Sequence, residues 1–183
     1  MLGVLAATAT GLASADDLTA YQLIKRGDQY VGIQSKDQVV QIRSEKSVGS
    51  LTPNIWYVVY YDPDATFKAV EVKFGAGEKM DVSRPGRLLE RFTDDKSPLE
   101  PGKLKIDSDR AIKIATDRPL LKNLTLKATK LWLEHGDLGP QWRVQLWAAR
   151  LNDSTRDADV GVVTLSAADG TVIKMDLHPN WAD

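Results

Sequence analysis

Two stretches of the chain repeat one order of elements, and this repetition narrows the range of possible folds. The first stretch opens with DLTAYQLIK (17–25), where Leu18, Tyr21 and Ile24 recur at helical spacing behind an aspartate that can cap a helix. Strand-like segments rich in β-branched and aromatic residues follow, with turn residues between them. These segments are VVQIRSEK (39–46), IWYVVYYD (55–62), FKAVEVKF (67–74) and EKMDV (78–82).

The second stretch has the same order. Its helix is expected over DRAIKIATD (109–117), with Asp107 or Ser108 as the cap and Pro119 as the residue that ends or kinks it. The strand-like segments are LTLKATKLWLE (124–134), QWRVQLWAARL (141–151), VGVVTLS (160–166) and TVIKMDL (171–177). We therefore predict a structural duplication and an α+β fold of two tandem units, each with one helix packed on a four-stranded antiparallel β-sheet.

Composition sets the boundaries of these units. The segment SRPGRLLERFTDDKSPLEPGK (83–103) is rich in proline, glycine and charge, which is typical of a connector. The first unit is accordingly assigned to residues 16–82 and the second to residues 104–183.

Three short motifs of the second unit point to a family. In order along the chain they are AIKIA (111–115) in the helix, WRV (142–144) in a strand after a turn, and AADGTVIK (167–174) across a hairpin. This series resembles the PepSY domain, and the first unit is a weaker match because GAG (75–77) replaces the A-x-D-G turn. The resemblance implies a non-enzymatic exported module that binds and restrains peptidases, and it carries over no functional residue.

The N-terminal residues 1–15, MLGVLAATATGLASA, are uncharged and mostly apolar or small. Ala13 and Ala15 satisfy the small-residue rule for signal-peptide cleavage after Ala15, although no lysine or arginine precedes the run. The alternative is a buried N-terminal helix. The run is shorter than the roughly 20 residues that span a bilayer. We therefore expect a signal peptide, no stable membrane insertion, and a periplasmic or secreted protein.

Composition excludes several functional classes. Lysine and arginine total 24 against 25 aspartates and glutamates, a net charge of -1 that predicts no nucleic-acid partner. Cysteine is absent, which excludes disulfides and thiolate sites. His135 and His178 are too far apart for the helical zinc spacing, and no G-x-S-x-G motif is present. The sequence therefore predicts no catalytic residue, no metal site and no cofactor.

One acidic loop is superficially similar to a calcium loop. It is NDSTRDAD (152–159), but Ala158 takes the place of the required glycine and Thr164 that of the final glutamate. We interpret it as a solvated hairpin loop.

The aromatic strand 55–62 carries the candidate binding residues. Its alternation places Trp56, Val58 and Tyr60 on one face, and Tyr57 and Tyr61 on the other, so both faces are apolar or aromatic. The second face then packs on the other unit, on a second copy of the chain in a homodimer, or on a partner. In the second unit, Trp147 is a lone aromatic among polar outer positions. Tyr57, Tyr61 and Trp147 are therefore the predicted binding residues.

These observations favour an exported non-enzymatic binding module, an inhibitor or regulator of a peptidase or other envelope protein. Its affinity would come from aromatic residues on a sheet face or from an open strand edge. The alternative is a small-ligand carrier with a pocket between a helix and a curved sheet. An enzyme is the least favoured class.

Overall fold

The computed structural model describes residues 18–84, 98–151 and 153–182, without the side chains of 153–156. The predicted signal peptide with its cleavage at Ala15, residues 85–97 of the predicted connector, and Asn152 lie outside the described residues. The prediction of a solvated hairpin loop over 152–159 is wrong, because residues 153–159 belong to the strand Asp153–Ser166, which pairs with the preceding strand from Arg150 opposite Asp153 onwards. Within the described ranges, no helix has the length and apolar character needed to cross a membrane.

Each half of the described chain contains a short helix followed by four strands. The first half comprises α1 (Ala20–Gly27), β1 (Val39–Ser44), β2 (Ile55–Tyr61), β3 (Ala69–Gly75) and β4 (Glu78–Ser83). The second half comprises α2 (Ser108–Thr116), β5 (Leu124–Gly136), β6 (Gly139–Arg150), β7 (Asp153–Ser166) and β8 (Val172–Leu177). Short 3₁₀ turns occupy Pro101–Lys103, Pro119–Leu121 and Pro179–Ala182.

The eight strands of the described ranges form a single antiparallel sheet in the order β4-β3-β2-β1-β5-β6-β7-β8. The prediction of two tandem units, each with its own four-stranded sheet, is therefore wrong. β1 pairs with β5 at Ile42 opposite Leu133 and at Arg43 opposite Trp132. In separate units β1 and β5 would each leave an open edge, and their pairing removes both edges.

Buried serines extend the junction beyond these two residue pairs. The Ser44 hydroxyl oxygen accepts a hydrogen bond from the Leu131 amide at 2.9 Å, and that of Ser47 accepts one from the Thr129 amide at 2.9 Å. The Ser47 amide in turn donates to the Thr129 carbonyl at 2.8 Å. The two serines and Thr129 are almost fully buried. Side chains thus satisfy polar backbone groups of β5 that would otherwise be buried without partners.

The two helices share one hydrophobic core on one face of the sheet. This core combines Leu23 of α1 and Ala111 of α2 with Trp56 and Trp142 of the strands. The first helix also depends on the second for its N-terminal hydrogen bonds, because the first amides of a helix have no partner within it. The Ala20 amide donates to the Ser108 hydroxyl at 3.0 Å, and the Tyr21 amide donates to the Asp107 carboxylate at 3.1 Å. The halves are therefore structurally interdependent.

A pair of aromatic side chains joins α1 to the sheet. The rings of Tyr21 and Trp142 stack with their centroids 6.3 Å apart. Both side chains donate to the Ile106 carbonyl, the Tyr21 hydroxyl at 2.5 Å and the Trp142 indole N–H at 2.6 Å. Burial raises the pKa of the Tyr21 hydroxyl, so this hydrogen-bond donor stays protonated well into the alkaline range.

Candidate binding surface

The sheet has one face covered by the helices and one face opposite them, which we call the open face. Side chains alternate between the two faces along each strand. In β2, Trp56, Val58 and Tyr60 belong to the core under the helices. Tyr57 and Tyr61 lie on the open face, and both are partly exposed. The predicted division of this strand into two faces is therefore confirmed.

One line of residues crosses the open face, because its members are direct partners in neighbouring strands. From β3 to β8 the line reads Lys73, Tyr57, Arg43, Trp132, Arg143, Thr164 and Lys174. A cation stands on every second strand, and an aromatic or hydroxyl side chain stands on each strand between. Neighbouring strands are about 4.8 Å apart, so successive cations are separated by about 9.6 Å. We call these seven residues the cation–aromatic row.

Tyr57 lies between two cations of the row. The Arg43 guanidinium carbon is 4.0 Å from the centre of the Tyr57 ring, and the Lys73 amine is 5.3 Å from it. The Tyr57 hydroxyl donates to the Glu45 carboxylate at 2.8 Å. Burial, followed by this hydrogen bond, raises the pKa of the Tyr57 hydroxyl above its ordinary value. The ring is thus held in place by contacts on both sides and at its tip.

Trp132 occupies the equivalent position in the second half. The Lys130 amine lies 4.8 Å from the centre of a Trp132 ring, and the Arg143 guanidinium carbon lies 5.5 Å from it. Sequence reasoning did not single out Trp132. The alternation of Lys130, Trp132 and Glu134 in LTLKATKLWLE indicates that Trp132 shares a face with charged residues. The local pattern does not indicate the strand register that places Trp132 beside Arg43.

Acidic side chains hold the two arginines of the row. Glu71 accepts a hydrogen bond from Arg43 at 2.6 Å, and Glu134 accepts one from Arg143 at 3.3 Å. Each contact uses one guanidinium nitrogen, whereas a guanidinium carries five N–H donors in all. The arginines therefore keep further donors for an anionic group.

Trp147 lies on the open face but outside the row. The Lys46 amine is 4.7 Å from the centre of a Trp147 ring and donates to Asp157 at 2.5 Å. That hydrogen bond lowers the pKa of the Asp157 carboxyl below its ordinary value. Trp147 is partly buried, and the Lys46 amine of the same chain already lies over its ring.

Tyr61 lies apart from the other two predicted residues. It is four residues from Tyr57 along β2, which corresponds to about 13 Å. Its ring packs against a small cluster of Val40, Val59 and Ala69. The structure thus places all three predicted aromatic residues on the open face, but only Tyr57 belongs to the row.

The outer strands, β4 and β8, are the other places where a partner strand could add. Every residue of β4 is exposed, including Met80 at 56%. Glu78, Lys79 and Asp81 on the same strand are charged, which is a common way to protect an edge from pairing. The β4 edge therefore offers weaker support for binding than the open face.

The histidines lie apart from one another. The His135 ring nitrogen is 3.2 Å from the Pro98 carbonyl oxygen. The His178 ring stacks on Trp181 at 4.1 Å and contacts Asp176 at 2.9 Å. Across the described ranges, no cluster of three or more acidic or histidine side chains is placed to hold a metal ion.

A partly open cleft of about 420 Å³ lies where β5 begins and β6 ends. Leu120, Leu124, Arg150 and Asn180 are among the residues that line it. The carrier hypothesis requires a pocket between a helix and the sheet, whereas the residues that line this cleft belong to neither α1 nor α2. The cleft therefore adds no specific support for a carrier.

No family model matches the chain, and neither curated proteins nor solved structures match it. The PepSY resemblance therefore stays a prediction.

Proposed function

We propose that the chain is a non-enzymatic binding module that recognises a protein partner through the cation–aromatic row. The observation that carries this proposal is the alternation of cations with aromatic or hydroxyl side chains across seven of the eight strands, on the face opposite the helices. Aromatic residues and arginine are the side chains most enriched at protein interfaces.

The row is organised before a partner arrives. Glu71 and Glu134 hold the arginines, and the cations lie beside the rings of Tyr57 and Trp132. A side chain that is already ordered loses less conformational entropy when it binds. Such a surface supports recognition better than a row of free, flexible side chains.

The proposal also covers where the protein is located and what class of protein its partner belongs to. An exported protein, with a peptidase or another envelope protein as its partner, is supported by the sequence of residues 1–15 and by the PepSY resemblance. A second copy of the chain is the other macromolecule to test, because the open face also suits a homodimer.

The test is affinity capture with the full chain, using envelope and culture fractions of the source organism. A double variant, Tyr57→Ser with Trp132→Ser, removes both rings of the row. Leu138→Ser is the matched control, because Leu138 is 83% exposed in the β5–β6 turn and lies outside the row. Circular dichroism and thermal unfolding establish that each variant folds, and sedimentation measures self-association.

A retained protein that the control keeps and the folded double variant loses would support the proposal. A partner that both variants retain would place the interface elsewhere and overturn it. Dimerisation that the double variant abolishes would replace the external partner with a second copy of this chain.

A further inference from the structure

Resting on the proposed function, we infer that the cation–aromatic row binds an acidic peptide segment in the polyproline II conformation, with a carboxylate at every third residue. The segment lies across the strands, so that its carboxylates face Lys73, Arg43, Arg143 and Lys174 in turn. The residues between the carboxylates face Tyr57, Trp132 and Thr164.

The spacing of the cations favours this conformation. A polyproline II helix has three residues per turn and rises about 3.1 Å per residue, so every third side chain lies on one face at intervals of about 9.3 Å. The cations of the row recur at about 9.6 Å. An extended β-strand puts third neighbours on opposite faces, and an α-helix returns to the same face after seven residues, about 10.5 Å. The polyproline II repeat is the closest match.

The distribution of charge favours separated carboxylates over a dense polyanion. Within the described part of the chain, Lys73 and Lys174 form no ion pair, and the arginines keep unused donors. However, Glu45, Glu71 and Glu134 lie beside the row on the same face. These glutamates would repel a strand with a phosphate about every 3.4 Å. Carboxylates separated by two neutral residues meet the cations and avoid the glutamates.

The aromatic residues favour proline between the carboxylates. Tyr57 lies on the strand between Lys73 and Arg43, and Trp132 lies on the strand between Arg43 and Arg143. Polyproline II segments dock on surfaces lined with aromatic rings, and their preformed conformation lowers the entropic cost of binding. The row therefore has a contact for each residue class of an acid-Pro-Pro repeat.

The probe is a synthetic peptide of repeated Glu-Pro-Pro triplets. The row from Lys73 to Lys174 crosses six strand intervals, about 29 Å, which corresponds to about ten residues of polyproline II. The same peptide with glutamine in place of glutamate tests the charge. A peptide of equal composition with its glutamates paired, Glu-Glu-Pro-Pro-Pro-Pro, tests the spacing. Binding to the full chain is measured by calorimetry at low salt.

We expect the triplet peptide to bind at least about tenfold more tightly than the glutamine peptide, which loses all four ion pairs. We expect it to bind about four- to 25-fold more tightly than the re-spaced peptide, which loses two of the four. Lys73→Gln and Lys174→Gln should each weaken binding about two- to fivefold. Lys103→Gln makes the same change of charge at an exposed site outside the row, and should leave binding unchanged.

Three results would overturn the inference. Equal affinity for the triplet peptide and for the peptide with paired glutamates would show that the spacing of the carboxylates does not determine binding. Tighter binding of a single-stranded polynucleotide or a sulfated polysaccharide would replace the peptide with another polymer. Absence of triplet binding, in a chain whose captured partner still depends on Tyr57 and Trp132, would refute the acidic peptide and leave the proposed function standing.

Discussion

Arg43 lies directly opposite Trp132 where β1 pairs with β5, so the residues that join the two halves of the sheet also stand at the centre of the cation–aromatic row. Two separate four-stranded sheets would divide this row into two short pieces. The surface proposed to bind a partner therefore exists only because the halves form one sheet.

Ser47→Ala tests the junction between the halves. The change leaves the buried Thr129 amide without its hydrogen-bond acceptor and should lower the free energy of unfolding by about 1–3 kcal/mol. Urea unfolding followed by tryptophan fluorescence and by circular dichroism measures the effect. We expect the two signals to give one coincident transition in both proteins, because the halves share a core.

Ser83→Ala is the control for this change, since Ser83 is exposed at the end of β4 and its substitution should cost less than about 0.5 kcal/mol. Two separate unfolding transitions in the unaltered chain would show that the two halves unfold independently. This result would contradict the expectation that the shared sheet and core make them unfold together.

Trp142→Ala tests the aromatic pair beneath α1. Trp142 is fully buried, stacks on Tyr21 and donates to the Ile106 carbonyl, so its loss should cost about 3–5 kcal/mol of unfolding free energy. Chemical denaturation provides the measurement. Trp181→Ala changes a 59% exposed tryptophan and should cost far less. Equal costs for the two variants would refute the assignment of Trp142 to the core.

Tyr60 makes the stability of the protein sensitive to alkaline pH. Burial, followed by the charge of Asp28, raises the pKa of the Tyr60 hydroxyl, which donates to the Ile24 carbonyl at 2.9 Å. The pKa of the Tyr60 hydroxyl in the folded protein exceeds the unfolded value of about 10. The contribution of Tyr60 to the free energy of unfolding is therefore complete below pH 10 and is lost as the pH rises towards the folded pKa.

Tyr60→Phe removes this titration. The variant should be about 1 kcal/mol less stable at neutral pH, through loss of the hydrogen bond, and its stability should decline less steeply above about pH 10. Thermal unfolding across the alkaline range measures both effects. Tyr30→Phe is the control, because the Tyr30 ring is partly exposed. An unchanged alkaline slope in the Tyr60 variant would contradict the prediction.

Lys46→Gln tests the cluster around Trp147. Hydrogen bonding from Lys46 lowers the pKa of the Asp157 carboxyl, so its removal should return that pKa towards the ordinary value of about 3.9. An NMR titration of the aspartate carboxyl carbons follows the change directly. The fluorescence of Trp147 should change in the same variant, because Lys46 lies over its ring. A pKa of Asp157 that did not move would show that the Lys46 contact is absent in solution.

Local patterns predicted those parts of the structure that depend on neighbouring residues. The alternation in IWYVVYYD assigned Trp56, Val58 and Tyr60 to one face of a strand, and these side chains are buried together under the helices. The same alternation assigned Tyr57 and Tyr61 to the opposite face, where the structure places them. Pleat geometry explains this success, because it depends only on residues adjacent in the chain.

The cation–aromatic row was not predictable in this way. Arg43 and Trp132 are far apart in the sequence, and their contact depends on the pairing of β1 with β5. A strand's own pattern specifies which residues share a face, but the identity and register of its neighbour depend on long-range packing. Trp132 was therefore overlooked, although its strand was identified.

The amino-acid sequence alone accounts for the limits set by composition, for the amphipathic helices and strands, and for the two faces of β2. Tertiary structure decided that the strands form one sheet, that α2 supplies hydrogen-bond acceptors to the first turn of α1, and that cations and aromatic rings alternate across the open face. The physical reason is that a strand edge and a helix end carry unpaired backbone groups, and the partners that satisfy them come from the other half of the chain.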